Sequence, residues 1–252
     1  MGQMTKDRVA DPRRGFDLLW KSDDRPTRGT KPALNATEIA RAGIALADEE
    51  GVEHVSMRRV AGRFGCGAMS LYRHVPGKAE LLDLMLDTVI GDEGVSRMQA
   101  NDGWRPRLEE HAHSSRRIYE RHPWILQVES SVRPTLGPNS LDAYERLLGI
   151  LSTSGLSIAD VPAAASLLVA YVHGSAVRRQ VDTMLAEHSG VSNEEWWAER
   201  QMFWEEYFTA ERYPTITNAY QAGAFDNPDD DFDFGLQRVL DGIAALIARP
   251  TP

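Results

Sequence analysis

The sequence predicts an all-α protein. Apolar residues recur at helical spacing from Asn35 onward, and no stretch alternates convincingly with period two. Glycine and proline breaks also divide the chain into segments of helix length. At 252 residues, 42% apolar and 26% charged, the chain has the composition of a globular protein with ample material for a core.

Residues 1–34 show no periodicity and are rich in Pro, Arg, Asp and Lys, which predicts a flexible N-terminal arm. Within it Phe16, Leu18, Leu19 and Trp20 would suit a short docked segment. The first helix opens at Asn35, where Glu38 completes a capping-box-like spacing, and it stops at Gly51. A second starts at Ser56, with Met57, Val60, Ala61 and Phe64 on one face. Gly65-Cys66-Gly67 breaks it, and a short third helix covers Ala68 to His74. Val75-Pro76-Gly77 ends that helix, and a fourth begins near Lys78 with Leu81, Leu84, Met85 and Val89 inward. Further helices are expected at 104–121, 123–131, 139–153, 158–187, 193–211 and 231–248.

The overall charge of −9 conceals an asymmetry: residues 1–80 carry +3 and the remainder −12. Arg58, Arg59, Arg63, Arg73 and Lys78 fall in a stretch, His54 to Ala79, that has no acidic residue. Such an island attracts a polyanion. On charge alone a solvated helix face explains it equally well.

Two short helices joined by a tight Gly-containing turn form a helix-turn-helix. The pair needs an apolar lock, which Met57, Val60, Ala61, Phe64 and Leu71 supply. It also needs a protruding polar and basic face, which Ser70, Tyr72, Arg73 and His74 supply. The stretch from Ser70-Leu71-Tyr72-Arg73-His74-Val75-Pro76-Gly77-Lys78 to Leu82 resembles the recognition helix and following junction of the tetracycline-repressor-like (TetR) regulators. Val55 to Ala61 resembles the start of that family's second helix. The likeness covers about fifty residues, Ala36 to Leu86, in the right order.

The resemblance implies a DNA-binding repressor with a helix-turn-helix domain at 35–80. Arg58 and Arg59 would approach the backbone or base edges. Ala68, Met69, Ser70 and Arg73 would face the major groove, and Tyr72, His74 and Lys78 would hold phosphates. Leu71 and Val75 read as core. Ala68 and Met69 lack strong donors, so direct readout would be sparse, with Arg73 and DNA shape carrying more of it. Gly62 and Gly67 depart from the family's usual residues and lower helix propensity. Arg25, Arg28 and Lys31 would suit a minor-groove arm, although a solubilising tail accounts for them as well. Cys66 reads as a small buried residue before a redox-sensing thiol.

Residues 81–252 are expected to form a helical bundle for ligand binding and dimerisation. Phe232 to Ile243 and Arg121-His122-Pro123-Trp124 resemble, more loosely, parts of the tetracycline-repressor-type C-terminal domain. The helices at 158–187 and 231–248 are more apolar than a surface requires. They predict a four-helix homodimer interface, which a charge at Leu240 or Ile243 would break. Aromatic residues are concentrated here, and Trp124, Tyr144, Tyr171, His173 and Trp204 are the expected lining of a pocket for an unidentified small-molecule effector. The dimer would bind a palindromic operator in double-stranded DNA.

Other functions find little support. His111 and His113 sit two apart on a helix and do not share a face, so no metal is expected. Hydrolase and phosphate-loop motifs are missing, and no cofactor or enzymatic activity is predicted. The run Asp229 to Asp233 lacks the glycine and glutamate of a calcium loop and reads as acidic capping of the last helix. No run approaches the ~20 apolar residues of a membrane helix. With a single cysteine, the expectation is a cytoplasmic protein without membrane attachment.

Overall fold

Local signals set most of the helix boundaries. In the computed structural model, which describes residues 12–21, 34–92, 102–131, 135–225 and 231–249, the side chain of Asn35 accepts from Glu38 N at 2.8 Å. That bond opens α2 (Ala36–Glu50). Gly51 ends the helix at φ +93, its N–H donating to Ala47 O at 3.0 Å. Ser56 caps α3 (Met57–Arg63) through Arg59 N. Gly65, at φ +63, turns the chain into the short α4 (Ala68–Leu71), and α5 (Lys78–Asp92) follows.

These helices share one core. Ile39, Val60, Leu71, Val75, Leu81 and Met85 are fully buried in it. Each such side chain contributes about 1.5–3 kcal/mol relative to exposure. At Gly43 a Cβ would stand 2.7 Å from Met85 Sδ, so α2 and α5 pack as closely as they do because that residue has no side chain.

Upstream, residues 12–21 hold the four apolar residues that suited a short docked segment within the arm. They form α1 (Pro12–Lys21), which packs on α5 with Leu19 in the core and Trp20 Nε1 donating to Leu136 O at 2.9 Å. Burying Leu18 and Leu19 on one side compensates the polar character of the rest. Arg25, Arg28 and Lys31 lie outside the described residues, as do Asp229 and Asp230.

Next come α6 (Trp104–Arg121), α7 (Trp124–Ser131) and α8 (Pro138–Ser152). Helix α8 has no cap from its own chain end, and Asp87 of α5 supplies one. Asp87 is buried; its Oδ1 accepts from Ser140 N and Ser140 Oγ, both at 2.9 Å, and its Oδ2 from Asn139 Nδ2 at 3.0 Å. A carboxylate there satisfies orphan N–H groups and suits the helix dipole. Any Cβ on Gly137 would fall 2.1 Å from that carboxylate, so the position admits only glycine without displacing it.

The chain divides into two compact units after Ala165. The second holds the C-terminal part of α9 (Val161–Ser189), then α10 (Asn193–Ala198), α11 (Gln201–Glu206), α12 (Pro214–Gln221) and α13 (Asp231–Ile247). The single helix expected at 193–211 is broken. Its aromatics pack on one another along both helices. Trp196–Trp197 centroids are 4.8 Å apart, Trp204–Phe208 4.9 Å and Phe208–Tyr213 5.1 Å. Arg200 sits 3.8 Å over the Trp196 ring at the break.

A second correction concerns α13. Leu240 and Ile243, expected at a subunit interface, are already buried within the chain, as are Phe232 and Leu236. The exposed side of α13 instead carries Phe234, Arg238, Asp241 and Ala245. No described helix is long and apolar enough to cross a membrane.

Candidate nucleic-acid interface and sensor residues

Helix α4 is only four residues long, and the core determines which of its faces is displayed. Leu71 and, just beyond, Val75 are wholly buried, which forces the neighbouring side chains outward. Met69 is 77% exposed, Tyr72, Arg73 and His74 are exposed, and Ala68 and Ser70 are half-buried. Gly62, Gly65 and Gly67 have nothing within 4 Å of a would-be Cβ, so this surface is open to close approach. Cys66 is half-buried and its Sγ lies 3.6 Å from Ala61 O inside the turn.

The cations around this surface fall into two groups. Arg58, Arg73 and Lys78 form no salt bridge among the described residues. Arg59, by contrast, is held by Glu50, its Nη2 lying 2.6 and 2.5 Å from the two carboxylate oxygens. Arg63 is held by Glu49 through both guanidinium ends. These hydrogen bonds keep the Glu49 and Glu50 carboxyls below the usual carboxylate range. Lys78, in the first turn of α5, is half-buried; desolvation lowers its pKa, and Glu53 opposes the shift. Sequence reasoning grouped Arg58 and Arg59 together, whereas the fold separates an available guanidinium from a paired one.

The five expected pocket residues fall on two units. Trp124 and Tyr144 belong to the first unit, and Tyr171, His173 and Trp204 to the second. Trp124 is 2% exposed in the core, and its Nε1 donates to Asp48 Oδ1 at 2.7 Å. Tyr144 is exposed on α8. Tyr171 donates its hydroxyl to Phe232 O at 2.7 Å and closes on Gly235, where a Cβ would meet the Tyr171 hydroxyl oxygen at 2.3 Å. His173 is half-buried on α9, and Trp204 lies partly exposed in the aromatic cluster.

Helix α6 offers a residue that sequence reasoning weighed only as a metal ligand. Burial, with a contribution from Arg146, pushes the His111 imidazole down to about 4, so it is neutral near pH 7. Ser114 and Ser115 also lie on covered parts of this helix, as does Tyr119, whose hydroxyl meets Glu129 at 3.0 Å. The composition of this helix is polar, so its coverage comes from the elements packed around it and carries no signal in the sequence. Among the described residues no group of His, Cys, Asp and Glu could hold a metal.

Comparison with known proteins agrees with this geometry. Residues 39–85 match the family described as bacterial regulatory proteins, tetR family. Residues 98–247 match the tetracyclin repressor-like C-terminal domain. The chain is 39% identical to the HTH-type transcriptional repressor DrrR1 of Streptomyces coeruleorubidus, over 94% of this chain and 87% of that one. It is 32% identical to an HTH-type transcriptional regulator of Saccharopolyspora erythraea, over 90% and 91%. Among solved structures, ActR of Streptomyces coelicolor in complex with actinorhodin superposes with a TM-score of 0.71 at 26% identity, covering 85% of this chain and 97% of that one. ActR has also been solved without ligand and in complex with (S)-DNPA. With a helix-turn-helix that buries its lock and displays its reading face, and with both family domains matched in order, the chain belongs to the TetR family of transcriptional regulators.

Proposed function

We propose that this TetR-type repressor binds a palindromic operator as a homodimer, reading each half-site with α4, and that a small organic molecule taken up by the C-terminal domain alters that binding. The observation that carries the reading is the sorting along α4: Leu71 and Val75 inside, Met69, Tyr72, Arg73 and His74 outside. Arg73 is the candidate for bidentate recognition of guanine, and Met69 for apolar contact with a thymine methyl. Tyr72, His74 and Lys78 suit phosphates, and Arg58 approaches from α3. Arg59 would join them only after leaving Glu50.

Dimerisation is supported by an exposed apolar seam. Ala163, Leu167, Ala170, Gly174, Val181 and Met184 of α9 are exposed and recur at close to 3.5-residue spacing, the pattern of helix-to-helix association. Phe234 extends the apolar surface on α13. For the effector, His111 offers one donor and one acceptor without charge in a desolvated setting, and ActR's complexes favour an organic ligand.

The test is binding to the DNA upstream of the chain's own coding sequence. Arg73→Ala should cost ~1–3 kcal/mol at one base pair and relax the preference there. Lys78→Ala should weaken specific and random duplexes alike. Equal losses on both duplexes for Arg73→Ala would remove its readout role. Titrating the complex with actinorhodin as a first probe asks whether an organic ligand releases the DNA.

A further inference from the structure

Helix α2 ends in three consecutive carboxylates, Asp48, Glu49 and Glu50, with no basic residue in its last turn. This is the negative pole of the helix, where acidic groups oppose the dipole and the turn frays unless donors hold it. The donors come from two directions. Arg59 and Arg63 of α3 hold Glu50 and Glu49. On the other side a single oxygen of Asp48 accepts from His122 Nδ1 at 2.8 Å and from Trp124 Nε1 at 2.7 Å. Those two rings flank Pro123 at the junction of α6 and α7, edge to face with centroids 6.1 Å apart.

We propose that the acidic end of α2 is a shared clamp through which the α6–α7 junction sets the orientation of α3, and with it the helix-turn-helix. The three carboxylates occupy one helical turn, so they keep their relative positions only while that turn stays wound. Donors at Asp48 keep it wound, and the wound turn presents Glu49 and Glu50 to Arg63 and Arg59. Withdrawing His122 and Trp124 leaves Asp48 uncompensated at the unfavourable pole. The turn then opens locally and the two arginines lose a fixed anchor. A rearrangement in the C-terminal domain that shifts the His122-Pro123-Trp124 junction would thereby reach α3. This route rests on the repressor reading for its purpose, but the clamp itself can be measured without DNA.

Hydrogen exchange on the full-length protein tests it, with Trp124→Phe, which keeps a ring and loses one donor, and with His122→Phe, which loses the other, as a second variant. Amide exchange across 57–63 should accelerate at least about fivefold while α8 stays within about twofold of wild type. Acceleration confined to 122–131, or spread equally through α8, overturns the clamp. A double-variant cycle on the upstream duplex adds a functional readout. Trp124→Phe combined with Glu49→Gln should weaken binding no more than the stronger single change, because both break the same route, the first at the turn and the second at its Arg63 anchor. Multiplying losses would overturn the proposal and leave the repressor reading intact. A wild-type protein that binds no DNA would instead sink the repressor reading, with the exchange result still deciding the clamp.

Discussion

Removing the charge of Glu50 should raise the salt dependence of DNA binding. In the free protein Arg59 is neutralised by both oxygens of Glu50, and Arg63 likewise by Glu49. That leaves Arg58, Arg73 and Lys78 as cations without a salt bridge on this surface among the described residues. If each meets one phosphate on a random duplex, where Arg73 has no matching guanine to read, a dimer neutralises about six, and log Kd against log salt has a slope of magnitude about 5.4. Glu50→Gln keeps a hydrogen-bond acceptor for Arg59 but frees its charge, bringing the count to about eight and the slope to about 7.2. Between ~50 and ~200 mM salt the affinity loss should grow from roughly 10³-fold to roughly 10⁴-fold. Fluorescence anisotropy on a random duplex and on the upstream duplex measures both slopes. The change should appear on both, because phosphate contacts carry no sequence information. An unchanged slope for Glu50→Gln, with the protein folded and dimeric, would refute the view that the ion pair withholds Arg59 from DNA.

Two further outcomes follow from burial. Leu167→Glu on the exposed seam of α9 should give a folded monomer by light scattering, whereas Leu240→Glu should unfold the chain, since Leu240 is fully buried; a folded monomer from Leu240→Glu would restore that residue to the interface. His111 sets a pH dependence. Its folded pKa, about 4, lies below the ordinary 6.5, so the unfolded chain takes up the proton first as pH falls. Stability should be full above about pH 6.5 and decline toward pH 4, by about 3 kcal/mol at most, and His111→Gln should flatten that decline in denaturant titrations.

Much of this protein was legible because helix boundaries are decided within a turn or so of chain. Asn35 and Ser56 cap, Gly51 and Gly65 stop and turn, and Leu71 and Val75 keep helical register with the core, all from chemistry carried by near neighbours. The same locality explains why the helix-turn-helix could be placed and its inner and outer residues sorted. The break in 193–211 was not legible, because no glycine or proline marks it and the backbone turns at Glu199 and Arg200. The roles of individual side chains depended on partners distant in sequence. Trp124 is committed to Asp48 across 76 residues, and Tyr171 to Phe232 across 61. Leu240 looks as apolar as any interface residue until the fold shows that its own chain covers it. Spacing along the sequence determines which face of a helix is apolar. Only tertiary packing decides what covers that face, which charges are neutralised, and which polar groups are left for DNA or a ligand, because those free energies come from desolvation and pairing between segments that meet on folding.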